Sequence, residues 1–550
     1  MRPEGIRGHW REDEDTRAVF AESASIHRVT PRAVASPQDA EDVQQLMKWA
    51  AATATPLVAR GSGSSMAGGC LTESVVVDLS LLHAAPSVDA NRRLARCGPA
   101  VTRAAVTRAA EALGLRFPVD PSSGAFCSVG GMVATNASGS RTLKFGSTRT
   151  WVSGLECVLA DGTRTWVRRG EPLDTSNKIL AKYAKTATSL RKAAAAIQSP
   201  MVRKNSSGYG LHAFARTGDL VDLLVGSEGT LAVFTELELA LCELPVATAT
   251  LLVSWPTLEG AVRGAAMATE AGASACELLD RTFLDVARTR AALPVEVGDE
   301  AVLLIELEEE IHGWNADLPR DASEQPLVER TKALERASLH AGASRVLLGL
   351  DPESSDALWA LRHAASPILA RLDPSIASMQ LVEDACVPQA RLSDYVQGVR
   401  RSLDQAGVRG VIFGHAGDAN VHVNALVDVR HPEWKAQVAR LFADIMELTA
   451  TLGGTSTGEH GDGRLRTPLL NRFWSSDALA LFERVKASFD PLGILNPGVK
   501  VWRNGAPSWD AIKYDPTLAS PSPRAQRVLD RVSRERAYHR SRVEMLDESV

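Results

Sequence analysis

The spacing of apolar residues in the first half of the chain predicts alternating helices and strands. Residues 39–53 place apolar side chains near a 3.6-residue period among good helix formers, which predicts an amphipathic helix. The short apolar run at 56–60 is typical of a buried strand. A further helix is expected over residues 101–113, where Gly114 follows as a stop signal. The first half therefore mixes helix and strand within one folding unit.

The pattern is renewed after about residue 245. Residues 246–255 and 301–310 are apolar runs typical of strands, and 258–272 has the periodicity of an amphipathic helix between them. A helix over 331–342 leads into another strand at 344–350. This order around a new set of apolar residues predicts a second domain of the α+β class, with helices on one face of a sheet.

Two stretches lack such periodicity. Residues 117–147 are rich in Gly, Ser, Pro and Asn, and an irregular segment of that length inside a compact domain is usually functional. The chain after Trp502 is polar and rich in arginine, with a Pro/Ser stretch at 516–523 and a charged helix beyond it. We expect this tail to be a surface extension or a docking arm.

Composition and charge exclude several classes of protein. The chain has 550 residues, of which 45% are hydrophobic and 23% are charged, so it can bury a large core spread over two to four domains. A formal net charge of -5 argues against nucleic-acid binding. No apolar stretch approaches the roughly 18 residues that a transmembrane helix needs, and the charged amino terminus resembles no targeting signal. We expect a soluble cytoplasmic protein.

The seven cysteines are scattered and never form a CxxC pair. A disulfide framework and a cysteine-ligated zinc or iron–sulfur cluster are therefore not expected. Any electrons that the protein handles must leave it without such a cluster.

Three segments of small residues have the character of ligand-binding loops. They are Arg60–Gly69, residues 117–146 and Val225–Leu231. Small side chains let backbone N–H groups approach an anion closely. The first segment is neither a Walker A loop nor a GxGxxG fingerprint, and a single Gly/Ser loop is more often a plain turn. Three such segments together favour a flat, polar-edged ligand that lies against the main chain.

A second kind of motif contains histidine. His415 and His422 are seven residues apart in a glycine-rich segment, and Glu459 and His460 adjoin in another. On one straight strand the odd spacing would place the first two rings on opposite faces, so a turn at 417–420 is the simplest way to bring them together. Two histidines and a carboxylate suit a divalent cation. Residue types alone leave a zinc hydrolase and a redox enzyme as alternatives.

Taken together, these segments resemble the flavoprotein family of D-2-hydroxyacid dehydrogenases, which includes D-lactate dehydrogenases, the glycolate oxidase flavin subunit and D-2-hydroxyglutarate dehydrogenases. The resemblance runs from about residue 30 to Lys500. It rests on the motifs ARGSGSSMAGG, FPVDPSSGAFCSVGGMVATNASG, KFGST, VGSEGTLAVFT, GHAGDANVHVN, TGEHGDGRLR and FDPLGILNPGVK.

The resemblance implies an α+β fold with two main domains. A vanillyl-alcohol-oxidase-type (PCMH) FAD-binding domain is expected over residues 30–245, after an N-terminal extension of residues 1–29. An FAD-linked oxidase C-terminal domain that binds substrate and metal is expected over residues 246–501, and the polar tail over 502–550.

The same resemblance implies the residues that hold FAD, which we expect to be non-covalently bound because Ser64 and Ser65 stand where tethering relatives have a histidine. The implied cofactor residues are Arg60, Gly61, Ser62, Gly63, Ser64, Ser65, Gly68, Pro121, Ser128, Gly130, Gly131, Asn136, Ser138, Gly139, Gly226, Glu228, Gly229, Thr230 and Asn496.

In the second domain the resemblance implies a zinc or manganese ion on His415, His422 and Glu459. It also implies three residues that act on the substrate: His460 as the catalytic base, Arg362 on the carboxylate, and Asn424 facing the substrate. The chemistry agrees with these roles, because a cation lowers the pKa of a hydroxyl and a guanidinium matches the planar carboxylate.

The sequence departs from the family pattern at three places. Ala419 stands where a glycine is usual, and Thr150 stands where an aspartate is frequent. The tail after Trp502 resembles the link into the cysteine-rich iron–sulfur half of longer relatives, but residues 502–550 contain no cysteine.

The leading hypothesis is thus oxidation of a small D-2-hydroxy acid by an FAD enzyme, with metal assistance. Electrons would pass to a separate acceptor such as a quinone, a cytochrome, an electron-transfer flavoprotein or an iron–sulfur protein. One alternative is a flavin-using transferase like alkyl-glycerone-phosphate synthase. Another is the flavin subunit of a larger complex with an iron–sulfur partner, in which the Arg-rich tail would serve for docking.

Overall fold

The protein was analysed as a computed structural model that describes residues 2–288, 299–309, 326–363, 375–503, 505 and 507–549. The strands of its first half are β1 (His9–Arg11), β2 (Ala33–Ser36), β3 (Leu57–Arg60), β4 (Val75–Asp78), β5 (Ser87–Asp89), β6 (Leu94–Cys97), β7 (Leu115–Arg116), β8 (Val152–Val158), β9 (Arg164–Arg168), β10 (Val233–Ala240) and β11 (Cys242–Glu243). The helices of that half are α1 (Glu14–Phe20), α2 (Ala40–Thr53), α3 (Arg103–Glu111), α4 (Val129–Thr135), α5 (Thr142–Phe145), α6 (Thr148–Trp151), α7 (Lys178–Ala196), α8 (Leu211–Thr217) and α9 (Val221–Leu224).

These strands form two main sheets. The first has the order β1-β2-β4-β3, in which β2, β4 and β3 run parallel. The second has the order β5-β6-β10-β8-β9 and is antiparallel throughout. Strands β8 and β9 form a hairpin whose turn contains Asp161 and Gly162, a pair that favours tight turns. Both sheets contribute to one apolar core.

The predicted helix over 39–53 is confirmed as α2, and its ends show why it forms there. The Asp39 side chain accepts hydrogen bonds from the backbone N–H groups of Glu41 and Asp42, which would otherwise lack partners at the helix start. Its buried face includes Leu46 and Met47. This face packs into the core of the first half.

The second half is built on an eight-stranded antiparallel sheet. Its strands are β12 (Ala247–Trp255), β13 (Ala275–Asp280), β14 (Ala301–Glu309), β15 (Arg345–Gly349), β16 (Ile376–Met379), β17 (Ala385–Cys386), β18 (Arg409–His415) and β19 (Asn420–Asp428). The order is β15-β12-β14-β13-β18-β19-β16, with β17 also paired to β19. The helices that follow β11 are α10 (Leu258–Glu270), α11 (Arg281–Arg288), α12 (Pro326–His340), α13 (Pro352–His363), α14 (Leu392–Ala406), α15 (Trp434–Thr451), α16 (Gly463–Arg466), α17 (Leu470–Phe473), α18 (Ser476–Phe489), α19 (Pro523–Arg534) and α20 (Arg542–Asp547).

Apolar side chains cover both faces of this sheet, whereas the sequence predicted helices on one face. Leu303 and Ile305 of β14 point to the face that α10 and α12 cover. Val302 and Leu304 alternate with them and point to the face that α11 and α13 cover. Because both faces are buried, the apolar run of β14 is nearly continuous. The functional residues described below lie on the second of these faces.

Two further expectations differ from the structure. The small-residue stretch at 117–147 contains the short helices α4 and α5, although its sequence has no helical periodicity. Helix α18, which was assigned to the second domain, packs Phe482 and Phe489 into the core of the first half. The predicted boundary between residues 245 and 246 therefore does not separate the two apolar cores, because a helix from the second half belongs to the core of the first.

The tail also differs from the expected surface arm. Its helices α19 and α20 pack against α1 and the parallel sheet, where Val528 and Met545 join Phe20 and Val76 in a small apolar cluster. An ion pair between Arg11 and Asp547, at 2.6 Å, links it to the amino-terminal strand. The tail is thus an integral part of the first half.

Candidate active site

A large cavity of about 1350 Å³ lies where the two halves meet. This exceeds the roughly 300–1,000 Å³ of a typical small-molecule site, so it can hold a ligand of dinucleotide size. Small-residue loops of the first half line one part of it, and the sheet residues of the second half line another.

The structure brings most of the predicted cofactor residues to this cavity. Those that line it are Gly61, Ser62, Gly63, Ser64, Ser65, Pro121, Ser128, Gly130, Gly131, Ser138, Gly139, Glu228 and Gly229. Those that do not line it are Arg60, Gly68, Asn136, Gly226, Thr230 and Asn496.

Residues of the second group hold the loops in place. Arg60 is 1% exposed, and its guanidinium donates to the backbone carbonyls of Phe20 and Glu22 at 3.2 and 2.7 Å. The side-chain amide of Asn496 donates to the carbonyls of Gly69 and Glu228 at 2.9 and 2.7 Å. These residues therefore support the cavity walls from behind.

The glycines are needed because the loops approach each other closely. A Cβ atom at Gly61 would lie 2.3 Å from the Ser128 hydroxyl, and one at Gly139 would lie 2.3 Å from the Asp120 carbonyl. The hydroxyl of Ser65 is buried and has no hydrogen-bond partner within the described chain. An unpartnered polar atom on the cavity wall fits a ligand that carries hydrogen-bonding groups, as FAD does.

The predicted turn between His415 and His422 is confirmed. Strands β18 and β19 form a hairpin around a single helical turn at Ala416–Asp418, and the two imidazole centroids lie 5.1 Å apart. Ala419 takes a left-handed conformation with φ of 53° at the end of this turn. That conformation strains a residue with a Cβ, which explains why glycine is usual there.

Each histidine is oriented through its Nδ1 atom. His415 Nδ1 is hydrogen-bonded to the carboxylate of Glu277, and His460 Nδ1 to the carboxylate of Glu383. His422 Nδ1 donates to the backbone carbonyl of Glu383. Since a carbonyl only accepts, the lone pair of His422 is on Nε2. Such partners fix the tautomer and direction of a histidine that binds a metal.

The three Nε2 atoms converge on one carboxylate oxygen. Glu459 Oε1 lies 3.3 Å from His415 Nε2, 3.6 Å from His422 Nε2 and 3.4 Å from His460 Nε2. The other oxygen, Oε2, accepts hydrogen bonds from Ser138 Oγ at 2.7 Å and Lys204 Nζ at 3.1 Å. One oxygen of Glu459 is thus held by the first half of the chain, and the other faces the histidines.

Imidazole nitrogens and a carboxylate oxygen at one point fit a divalent cation such as zinc or manganese. Ligand atoms of Asp384, His422, Glu459 and His460 lie within 4.8 Å of one another. Asp384 is less suited to bind an ion, because Oδ2 already accepts the N–H groups of Glu459 and His460 at 3.1 and 2.8 Å. It instead shapes the loop that carries them.

Electrostatics distinguish His422 from the other two histidines. Burial lowers the pKa of His415, but the Glu277 carboxylate outweighs burial and raises this pKa to about 9. Burial lowers the pKa of His422 to about 3, with His415 adding to the effect, so this ring is neutral and can donate its lone pair. Burial also lowers the pKa of His460, but the Glu383 and Asp384 carboxylates outweigh it and raise this pKa well above its usual value. The His460 side chain is 25% exposed, against 5% for His415 and 8% for His422. His460 is therefore the histidine most accessible from the cavity.

Arg362 and Asn424 also line the cavity. Arg362 Nε donates to Glu277 Oε2 at 2.7 Å, and its guanidinium lies 4.9 Å from the centre of the Phe413 ring. Glu277 therefore contacts both Arg362 and His415. Burial opposes the charge of Glu277, but His415 and Arg362 outweigh burial and lower its pKa to about 2.

Several functional residues were not predicted from the sequence. Glu277 is a single acidic residue in the apolar strand β13, and a charge in a buried strand was the available signal. Glu383 and Asp384 lie in a segment for which the sequence predicted no role. Lys204 is fully buried beside Glu459, in a segment whose sequence contains no motif that indicates a functional site.

Two features bear on redox partners and membranes. The seven cysteines are all unpaired. Among the helices that the structure describes, none combines the length and apolar character needed to cross a bilayer.

Comparison with known families gives two matches. The FAD binding domain family matches residues 31–168, and the family of FAD linked oxidases, C-terminal domain, matches residues 244–499. These matches confirm the predicted fold class of a PCMH-type FAD-binding domain followed by an oxidase C-terminal domain.

Named relatives extend over most of the chain. Glycolate oxidase subunit GlcD of Bacillus subtilis is 30% identical over 88% of this chain and 92% of its own length. D-lactate dehydrogenase of Archaeoglobus fulgidus is 30% identical over 86% of this chain and 92% of its own. D-2-hydroxyglutarate dehydrogenase of Escherichia coli is 27% identical over 90% of this chain but only 51% of its own.

Solved structures share the fold at lower identity. A 4-ethylphenol oxidase from Gulosibacter chungangensis superposes with a TM-score of 0.63 and 15% identity, covering 90% of this chain and 94% of its own. An alkyldihydroxyacetonephosphate synthase superposes with a TM-score of 0.59 and 15% identity, covering 89% and 82%. At this identity the likeness concerns the fold alone.

Proposed function

We propose, since the chain belongs to the FAD-linked oxidase family of oxidoreductases, that it oxidises a small D-2-hydroxy acid to the 2-oxo acid and passes the electrons to a separate acceptor. The relatives act by name on glycolate, D-lactate or D-2-hydroxyglutarate. The observation that carries the proposal is the convergence of three imidazole Nε2 atoms on Glu459 Oε1 at the wall of the cavity that the small-residue loops also line.

When bound, a divalent cation on His415, His422 and Glu459 supplies a Lewis acid for the substrate hydroxyl, and FAD supplies a two-electron acceptor. His460 stays outside this ligand set because it is the most exposed of the three histidines. In its neutral form His460 takes the hydroxyl proton at Nε2, and the Glu383 carboxylate at Nδ1 stabilises the resulting imidazolium.

The substrate carboxylate is bound on the other side of the site. The Arg362 guanidinium binds the substrate carboxylate, because its donors form a fork that matches two oxygens. Glu277 holds that guanidinium and the His415 ring at the same time, so it fixes the position of the carboxylate site relative to the metal site. Asn424 adds an amide on the substrate side of the cavity.

Anaerobic reduction of the flavin tests the proposal. The D isomer of lactate, glycerate or 2-hydroxyglutarate, or achiral glycolate, should bleach the flavin absorption band, and the L isomers should not. A flavin that no hydroxy acid reduces, with metal present, would show that the proposal is wrong.

The same experiment separates two other functions. A flavin-using transferase related to alkyldihydroxyacetonephosphate synthase is consistent with the shared fold, but the histidine–glutamate cluster favours the dehydrogenase. A non-catalytic flavin subunit would bind FAD and stay oxidised under every hydroxy acid. Its docking through the tail is not supported, because the tail packs on its own chain.

We expect FAD to be released by acid or heat denaturation. Ser64 and Ser65 line the cavity where a tethering histidine would stand, and a serine hydroxyl does not form that covalent bond. Absorbance of the supernatant after removal of precipitated protein measures the release. Yellow colour that stays with the pellet would contradict this expectation.

The electron exit gives a second prediction. The seven cysteines are unpaired and scattered, so the flavin is the redox centre that this chain offers. Turnover should be slow with oxygen and fast with an artificial dye, as measured by peroxide formation and dye bleaching under the same conditions. Peroxide formed at the dye-supported rate would make the protein an oxidase instead.

Lys204→Met should weaken metal binding although Lys204 is not a ligand. Its ammonium holds Glu459 Oε2, and residues that orient a metal ligand typically change metal affinity about 10–100-fold. Metal titration into the metal-free protein measures the effect. Lys182→Met, at an exposed position of α7, is the matched control and should bind metal normally. Equal affinity in both variants would exclude this role for Lys204.

A further inference from the structure

The C-terminal tail lies beyond both family matches, the later of which ends at residue 499, yet it reaches the large cavity. Ser533, Arg534, Arg536 and Tyr538 line that cavity together with the first-half loops. Tyr538 also lines a smaller adjoining hollow with Gly61 and Ser62 of the first loop. The C-terminal tail, which neither family match includes, therefore forms part of the cavity wall.

The tail meets the second small-residue loop through an aromatic pair. The rings of Tyr538 and Phe126 are stacked, with centroids 5.4 Å apart and planes at 28°. The Arg536 guanidinium lies 5.8 Å from the centre of the same Phe126 ring. Phe126 itself lines the cavity between the predicted cofactor residues Pro121 and Ser128.

The backbone is strained at Arg536. Arg536 adopts a left-handed conformation with φ of 56°, which is uncommon for a residue with a side chain. Arg536 lies between α19 and the single helical turn Ala537–His539, which contains Tyr538. A strained residue persists only where the surrounding structure holds it.

That support comes from a buried anchor. Arg542 is 4% exposed, and its guanidinium donates to the carbonyl of Glu22 at 2.8 Å and also to that of Val19. Arg60 of strand β3 donates to the same Glu22 carbonyl. The tail and the first small-residue loop are therefore fixed to one another through the end of α1.

The arginines on the cavity wall differ in how freely they can bind an anionic ligand. Arg141 is committed to Asp120 and to Glu306, and Arg103 donates to the carbonyl of Val119 at 3.0 Å. Arg536 is exposed, and within the described chain its guanidinium lies against the Phe126 ring rather than a carboxylate. It can therefore offer its charge to an anionic ligand.

We propose that the tail is part of the FAD site: Arg536 supplies positive charge for the diphosphate, and Tyr538 fixes the second loop through Phe126. A guanidinium suits phosphate oxygens because its N–H donors bind them in pairs. This inference rests on the proposed flavin function. It explains how a chain without a covalent tether retains its cofactor.

The experiment measures FAD affinity by titrating FAD into the flavin-free full-length protein and following flavin fluorescence. Tyr538→Ala should raise the dissociation constant about 2–10-fold, the effect expected for one aromatic pair. Tyr538→Phe keeps the ring, so it should raise the dissociation constant less than Tyr538→Ala does. Arg536→Ala should raise the dissociation constant about 10-fold, and added salt should narrow its difference from the wild type.

Arg527→Ala is the matched control, since Arg527 lies on α19 and contacts the Ser549 carbonyl rather than the cavity. It should bind FAD as the wild type does. Thermal unfolding of the flavin-free variants checks that the tail remains folded. Unchanged FAD affinity in folded Tyr538→Ala and Arg536→Ala would overturn the inference while leaving the flavin function intact. A wild-type protein that binds no FAD would overturn the flavin function itself.

Discussion

Replacing His422 with alanine should remove the metal and slow flavin reduction together. His422 Nε2 carries a lone pair, because Nδ1 donates to the Glu383 carbonyl and burial lowers the pKa of the ring to about 3. Loss of a residue that only orients a ligand already costs about 10–100-fold, so loss of the ligand should cost at least that. His415→Ala should behave in the same way. Metal content and the anaerobic reduction rate, measured on the same preparation, test this.

FAD content should stay unchanged in both variants, because the loops that line its part of the cavity belong to the first half of the chain. His431→Ala is the control, since His431 is exposed beyond the end of β19 and does not line the cavity. If His415 and His422 are only structural, both variants should instead lose thermal stability while activity per folded molecule remains nearly normal.

His460→Ala should keep metal and FAD yet reduce the flavin about 10²–10⁴-fold more slowly, the usual cost of losing a general base. His460 is the most exposed of the three histidines, and the Glu383 carboxylate favours its protonated form. Stopped-flow reduction by the best hydroxy acid measures the loss. Added imidazole should restore part of the rate, since it can enter the space that the side chain leaves.

The structure makes this second experiment decisive between two roles. His460 Nε2 lies 3.4 Å from Glu459 Oε1, a distance similar to those of the other two histidines. If His460→Ala loses its metal and His415→Ala keeps it, then the two roles are exchanged and our assignment is wrong. Metal analysis of the two variants side by side distinguishes these outcomes.

The hairpin that joins the two histidines could be predicted because its signals are local. Glycines and an aspartate between two apolar runs favour a turn, and a turn is what places residues 415 and 422 on one face. The helix capped by Asp39 is predictable for the same reason, since the cap lies next to the first turn that it stabilises.

The partners of these histidines could not be predicted, because they come from distant parts of the chain. Glu277 is 138 residues from His415, and its role depends on the pairing of β13 with β18. Ser138 was expected to bind cofactor, but its hydroxyl donates to Glu459, 321 residues away. Arg60 has the charge expected of an anion site, yet its guanidinium donates its hydrogen bonds to backbone carbonyls at the end of α1.

Glu459 contacts residues of both halves of the chain, and this affects how the two halves dock during folding. Its Oε2 atom is held by Ser138 and Lys204 of the first half, while Oε1 belongs to the histidine cluster of the second. A second half that folded alone would keep the histidines but lose the contacts that aim the carboxylate. If this cluster binds a metal as proposed, metal affinity should report whether the halves have docked, and an excess of cation should favour the docked state during refolding by mass action.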